Sequence, residues 1–136
     1  MIIFADNQDI TRIGLIHIAN DIDKRQEYKS VGDKATLIET LQNSPNATVY
    51  IDYTLFDISD VSELQIIAQR FRQSLWVLFS DQLSYEFISQ TIGSSRQFGI
   101  VLKDSPINEI RESLKYALSH HRYICQRIAE MLLNPP

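Results

Sequence analysis

The chain is poor in several residue types, and each scarcity excludes a class of protein. It has one cysteine, Cys125, among 136 residues, so no internal disulfide can form, and a reducing compartment such as the cytoplasm is the expected location. It has four glycines, and none of them belongs to a GxGxxG or GxxxxGK loop, the motifs that cradle nucleotide phosphates. A nucleotide- or flavin-binding enzyme therefore has no support from any motif.

Positive charge and long apolar runs are also lacking. Thirteen lysines and arginines face 17 acids, for a net charge of −4, whereas a nucleic-acid-binding module normally carries a basic footprint. No apolar run approaches the roughly 18 residues of a membrane span, so a membrane is not an expected partner. The composition that remains, 44% hydrophobic and 22% charged, is typical of one soluble globular domain.

Short apolar runs alternate with segments whose apolar residues recur at helical spacing. The predicted strands are residues 2–5, 27–31, 48–51, 75–79 and 98–102. Helical periodicity follows each strand. The last helix is expected to begin with Ser105 as its N-cap and Pro106 as its first residue. Five strand–helix repeats predict a parallel sheet covered by helices on both faces.

Polar residues stand where four of the predicted strands end. They are Asp6, Asp52, Ser80 and Lys103. In an open α/β sheet the carboxyl ends of the strands lie along one edge, where ligands bind, so these four side chains should converge. Two neighbouring carboxylates repel each other and favour a cation between them. Oxygen ligands of this kind suit Mg²⁺ better than zinc or copper.

With these four residues in order, residues 1–118 resemble a bacterial response-regulator receiver domain. The resemblance implies a flavodoxin-like three-layer α/β/α sandwich with a five-stranded parallel sheet of strand order 2-1-3-4-5. It also implies a signalling domain rather than an enzyme. Asp52 would accept a phosphoryl group from a sensor histidine kinase, Ser80 would be the switch hydroxyl, and Lys103 would contact the phosphate. Mg²⁺ would be held by Asp6, Asn7, Asp52 and the backbone carbonyl of Thr54.

The tail of the chain resembles a narrower group. Residues 119–136 are similar to the linker that follows the receiver in LuxR-type transcription regulators, and the phrases LKDSP and TRIGL also resemble that subfamily. The similarity implies a linker and helical tail leading to a missing C-terminal effector domain, through which alone the protein would contact DNA. A homodimer and a cytoplasmic location are further expectations from the same resemblance.

Five positions depart from the receiver pattern. Asn7 replaces the second acid, so we expect weak Mg²⁺ binding, because an amide brings no charge. Phe56 and Asp60 stand where the loop after the phosphoacceptor usually has proline and glycine. Asp81 replaces the small residue after the switch hydroxyl, and Ile100 stands in the place of the switch aromatic. The alternative function is therefore a degenerate receiver that acts as an interaction or dimerisation module without phosphorylation.

Overall fold

Strands and helices alternate along the chain as the apolar pattern predicts. The structure is a computed structural model that describes residues 1–81 and 83–135. Its elements are β1 (Ile2–Ala5), α1 (Asp9–Ile22), β2 (Tyr28–Val31), α2 (Lys34–Asn43), β3 (Thr48–Ile51), α3 (Val61–Arg70), β4 (Leu75–Leu78), α4 (Tyr85–Thr91), β5 (Phe98–Ile100), α5 (Ile107–Leu118) and α6 (Gln126–Leu133). No helix in these residues is both long and apolar enough to cross a bilayer.

The five strands form one parallel sheet in the order β2-β1-β3-β4-β5. Every residue of β1 and of β3 is buried. Strands that are covered on both faces need apolar side chains on both, which explains why Thr48 is the only residue of these two strands that is not hydrophobic. The predicted flavodoxin-like sandwich and its strand order are confirmed.

Helices cover both faces of the sheet and enclose two apolar cores. On one face, α1 and α5 pack against side chains that include Phe4 and Tyr50. On the other face, α2, α3, α4 and α6 pack against side chains that include Trp76 and Ile51. The Tyr50 hydroxyl shares a buried 2.8 Å hydrogen bond with the Ser113 hydroxyl, which satisfies both groups away from water.

Several element boundaries differ from the sequence prediction: β2 begins one residue later and β4 ends one residue earlier than predicted, and the differences at β5 and α5 bear on the site. β5 ends at Ile100 rather than at residue 102, and three residues later the Lys103 amide donates to the carbonyl of Ser80 at 3.0 Å as the chain enters the loop. α5 begins at Ile107, with Pro106 at the N-cap in an extended conformation, ψ 150°, and no side chain capping it. The prediction that Ser105 caps this helix is therefore wrong.

The segment after α5 returns to the sheet and lies along β5. His120 adopts a left-handed conformation, φ 55°, at the point where the chain turns back. The amide of Ile100 then donates to the carbonyl of Tyr123 at 2.8 Å, and the amide of Cys125 donates to the carbonyl of Ile100 at 3.1 Å. α6 follows with Ile128 buried in the core. The tail therefore covers the β5 edge, which would otherwise expose unpaired backbone groups.

Candidate functional site

The four polar residues predicted at the strand ends lie together at the carboxyl edge of the sheet. Asp6 follows β1 and Asp52 follows β3, and these two strands are neighbours in the sheet. Ser80 and Lys103 follow β4 and β5, and the Lys103 amide is hydrogen-bonded to the Ser80 carbonyl. Asp6, Asp52 and Ser80 are each no more than 3% exposed. Charges in such a recess interact strongly because water screens them little.

Lys103 is the cation that joins the two carboxylates. Its Nζ lies 2.7 Å from Oδ2 of Asp52 and 2.9 Å from Oδ2 of Asp6, and its side chain is 11% exposed. The ammonium also donates to Oε1 of Gln8 at 3.4 Å and lies 5.9 Å from the centre of the Phe79 ring. One lysine therefore neutralises part of the repulsion between two buried acids.

The other oxygen of Asp52 is surrounded by hydrogen-bond donors. Oδ1 accepts from the Thr54 amide at 3.0 Å, from the Thr54 hydroxyl at 2.6 Å and from the Ser80 hydroxyl at 2.9 Å. With Lys103 on Oδ2, both carboxylate oxygens are held from different sides. The Asp52 carboxylate is therefore fixed in orientation before any ligand arrives, an arrangement that favours a positioned nucleophile.

Opposing effects set the ionisation of the two central groups. Burial raises the pKa of Asp52, but the Lys103 ammonium and the donors on Thr54 and Ser80 outweigh it and leave the pKa below its ordinary value. Burial lowers the pKa of Lys103, but Asp52 and Asp6 outweigh it and leave this pKa raised. At neutral pH Asp52 is therefore an ionised carboxylate beside an ionised lysine.

The carboxylate oxygens of the site have the chemistry of ligands for a divalent cation. Oδ2 of Asp6 is buried and, among the residues the structure describes, accepts no hydrogen bond, although the Lys103 ammonium lies nearby. A carboxylate oxygen next to a second carboxylate is a ligand that Mg²⁺ accepts, and here Lys103 already lies 2.9 Å from that oxygen. Asn7 is exposed in the loop beside Asp6 and offers an oxygen without charge. The roles of Asp6, Asn7, Asp52 and the Thr54 carbonyl as metal ligands remain predictions.

Two carboxylates, those of Asp6 and Asp52, contact Lys103 at this site. Within residues 1–81 and 83–135, no group of three or more His, Cys, Asp or Glu side chains is placed to hold a metal. Calcium- and magnesium-binding sites gain affinity with each added ligand charge. The weak Mg²⁺ binding expected from the amide at position 7 remains a prediction.

The structure shows the burial or the contacts of four of the five residues that depart from the receiver pattern. Phe56 is 6% exposed and belongs to the core, and Ile100 is fully buried in the same core. Asp60 caps α3, since its carboxylate accepts from the Glu63 amide at 2.9 Å. Asp81 is exposed to solvent, so its charge is not buried beside Asp52.

Sequence reasoning misses Gln8 and the donor groups of Thr54. The role of the Thr54 carbonyl remains a prediction, and the structure adds that the Thr54 amide and hydroxyl both donate to Oδ1 of Asp52. Gln8 contacts Lys103, and its amide donates to Oδ1 of Asp6 at 2.7 Å. An Asp followed two residues later by a donor is a recognised turn pattern, which could have revealed Thr54. The same pattern relates Gln8 to Asp6, but nothing in the sequence indicates that the Gln8 side chain contacts Lys103.

Comparison with known proteins identifies the fold. The sequence matches no protein-family profile and no curated protein. Among solved structures, the isolated REC domain of RcsB from Salmonella enterica serovar Typhimurium has a TM-score of 0.75 at 15% identity, with 96% of each chain covered. A LuxR-family two-component response regulator from Aurantimonas has a TM-score of 0.72 at 18% identity, covering 97% of this chain and 94% of its own.

A third solved structure agrees with these two. The signal receiver domain of a DNA-binding response regulator from Colwellia psychrerythraea has a TM-score of 0.72 at 11% identity, covering 87% of this chain and 97% of its own. Identities this low establish a shared fold and nothing about activity. The chain therefore has the fold of response-regulator receiver domains, and its chemistry must be argued from its own side chains.

Proposed function

We propose that this chain is the phosphoacceptor receiver domain of a response regulator and that Asp52 receives the phosphoryl group. The observation that carries the proposal is the contact between an ionised, oriented Asp52 carboxylate and the Lys103 ammonium, 2.7 Å apart, beside Asp6 at the strand ends. Phosphoryl transfer requires mainly positioning and neutralisation of charge. This site supplies both with few side chains.

The proposed reaction moves one phosphoryl group. A carboxylate oxygen of Asp52 attacks the phosphorus atom of the donor, the new O–P bond gives an acyl phosphate, and the bond from phosphorus to the donor breaks. The leaving group is acetate when the donor is acetyl phosphate and a histidine imidazole when it is a sensor kinase. Lys103 stabilises the charge of the phosphoryl oxygens. Bound Mg²⁺ would add further positive charge next to those oxygens.

Ser80 is well placed to respond to phosphorylation of Asp52. Its hydroxyl donates to Oδ1 of Asp52 at 2.9 Å in the unmodified protein. An acyl phosphate oxygen is a weaker acceptor than a carboxylate oxygen, whereas the phosphoryl oxygens carry charge and are stronger acceptors. Ser80 would therefore exchange its acceptor and shift the loop between β4 and α4, which is a local charge change acting on a two-state element.

The same proposal assigns partners. A sensor histidine kinase would supply the phosphoryl group in the cytoplasm, a second copy would form a homodimer, and DNA would be bound only through a C-terminal domain.

Support for a docked partner comes from α1, where Ile10 and Ile13 are 78% and 64% exposed. A recess of about 220 Å³ between Ile10, Phe79 and Lys103 opens beside these residues. Apolar side chains at the mouth of a charged site are typical of a surface that a protein covers.

A degenerate receiver is the second candidate. The observation that favours it is the exposed amide of Asn7, at the position where receivers present a second acid. Among the described residues, Lys103 is paired with two carboxylates, those of Asp6 and Asp52. If the cation is held too weakly, the domain would keep its fold and its surfaces and act as an interaction or dimerisation module without taking up phosphate.

Intact mass measurement after incubation with acetyl phosphate and Mg²⁺ distinguishes the two candidates. The phosphoacceptor proposal predicts that the protein gains the mass of one phosphoryl group and that Asp52→Asn gains none. Asp57→Asn is the matched control, because Asp57 is an exposed acid of the same loop, and it should gain one group like the wild type. Absence of any gain in the wild type at high Mg²⁺ favours the degenerate receiver.

A further inference from the structure

A cleft in the described chain lies at the opposite edge of the sheet from Asp52. It has a volume of about 480 Å³ and is formed by the loops that lead into β3, β4 and β5 and by the turn after α5. The side chains that matter are Arg72 from the loop before β4, Arg96 from the loop before β5, and His120 from the turn. A volume of this size is within the range of small-molecule sites, roughly 300–1,000 Å³.

Among the residues that the structure describes, the arginines of this cleft form no ion pair. The ion pairs of residues 1–81 and 83–135 use other cations, and no carboxylate lies within 4.0 Å of the guanidinium nitrogens of Arg72 or Arg96. Both arginines are exposed. In a chain of net charge −4, two arginines left unpaired around one concave surface form a local site for an anion.

A third arginine strengthens the positive field. Arg122 donates through Nε to the carbonyl of Phe98 at 2.6 Å and through a second nitrogen to the carbonyl of Ile92, so it is fixed in place. Burial lowers the pKa of Arg122, and the positive charge of Arg96 lowers it further. The two guanidinium groups therefore repel each other, and an anion bound at Arg96 would relieve that repulsion.

His120 holds one wall of the cleft in an unusual conformation. Its φ of 55° is a left-handed value that non-glycine residues seldom adopt. Its ring nitrogen Nε2 shares a 3.0 Å hydrogen bond with the carbonyl of Gln73, which joins the turn after α5 to the loop that carries Arg72. Strained backbone that is held by its surroundings is concentrated at ligand-binding sites.

From these observations we propose that the cleft binds the phosphate groups of a small phosphorylated compound, with Arg72 and Arg96 as its principal ligands. Guanidinium groups present paired donors that match two phosphate oxygens at once. The two arginines come from different loops, so a ligand with two phosphates could contact both. This site is separate from the phosphoacceptor site and does not depend on the function proposed for Asp52.

Calorimetric titration of the whole chain with inorganic pyrophosphate tests the proposal, with adenosine diphosphate as a second probe. The buffer contains EDTA and no Mg²⁺, so that the carboxylate site cannot hold a metal–phosphate complex. Saturable binding of one equivalent is expected. The variant Arg72→Gln/Arg96→Gln should bind roughly tenfold or more weakly, because charge-assisted contacts dominate phosphate binding. Both replaced residues are exposed, and unchanged circular dichroism confirms that the variant folds.

Arg25→Gln is the matched control. It removes one positive charge from the loop before β2, on the same edge of the sheet but at its far end, and should bind pyrophosphate like the wild type. Equal weakening in Arg25→Gln, or no saturable binding of either probe by the wild type, overturns the proposal. Binding of a polyglutamate peptide without binding of pyrophosphate also overturns it, since the cleft would then be a surface for an acidic protein.

Discussion

Lys103 and Asp52 form a buried ion pair, with Nζ of the lysine 2.7 Å from Oδ2 of the aspartate. The pKa of Asp52 is below its ordinary value of 3.8 in the folded protein, so its stabilisation is present above about pH 4 and is lost as the pH falls through the folded pKa. The pKa of Lys103 is above its ordinary value of 10.5, so its stabilisation is present below that pH and is lost as the pH rises through the folded pKa. The pair therefore stabilises the fold across the neutral range.

Replacement of the lysine should cost stability in a pH-dependent way. Lys103→Met leaves Asp6 and Asp52 without their cation, and removing one partner of a buried pair costs roughly 3 kcal/mol of unfolding free energy. Urea denaturation at pH 7 and near pH 4 measures this cost. The deficit should shrink at the lower pH, because protonated carboxylates no longer repel each other. The control Lys34→Met breaks a partly exposed ion pair with Glu63, and should cost much less at either pH because water screens that pair more. A Lys103→Met deficit that does not change with pH would contradict the account.

Gly99 should tolerate no side chain, because the tail passes directly over it. A Cβ atom at this position would lie 2.3 Å from the carbonyl oxygen of Tyr123. Gly99→Ala should therefore destabilise the protein by about 1–3 kcal/mol, the range for overpacked sites. At Gly14 in α1 nothing lies within 4 Å of an added Cβ, so Gly14→Ala should be neutral or stabilising by up to about 1 kcal/mol. Thermal denaturation that ranks the two variants the other way would show that the tail does not lie on β5.

The sequence predicts the sheet and the site because both depend on local patterns. The apolar runs that become β1 and β3 are buried on both faces, and Asp6 and Asp52 directly follow them, so parallel strand order alone brings the acids together. The position of the tail depends on a pairing between Ile100 and residues more than 20 positions later in the chain, and no periodicity encodes such a pairing. The hydrogen bonds from Thr54 are local, but one residue offers several donors and acceptors, and only the fold selects among them.

Asp60 should prove to be a helix cap rather than a member of the site. Its carboxylate accepts from the Glu63 amide at the start of α3. Asp60→Ala should lower the unfolding free energy by about 1 kcal/mol and leave phosphoryl uptake unchanged. The exposed neighbour Asp57, replaced by alanine, is the control for loss of one surface charge. A stability loss of the same size in both variants would argue against the cap.

Asn7→Asp should strengthen Mg²⁺ binding. The substitution adds a carboxylate of nearly the same volume beside Asp6, and affinity for hard cations rises with ligand charge, here by roughly tenfold. Because position 7 is exposed, the new carboxylate keeps most of its hydration. Calorimetry with Mg²⁺ measures the change. The control Asn20→Asp adds the same charge near the far end of α1 and should bind Mg²⁺ like the wild type. Equal affinity in Asn7→Asp and the wild type would place residue 7 away from the metal.

The most direct test locates the phosphoryl group on the chain. After treatment with acetyl phosphate and Mg²⁺, borohydride reduces an aspartyl phosphate to homoserine, and peptide mass mapping then identifies the residue. The account predicts homoserine at position 52 in the wild type, and no reduced residue in Asp52→Asn. Homoserine at another aspartate, or the absence of any reduced aspartate in a wild-type protein shown to be folded and supplied with high Mg²⁺, would contradict the assignment of Asp52 as the phosphoacceptor.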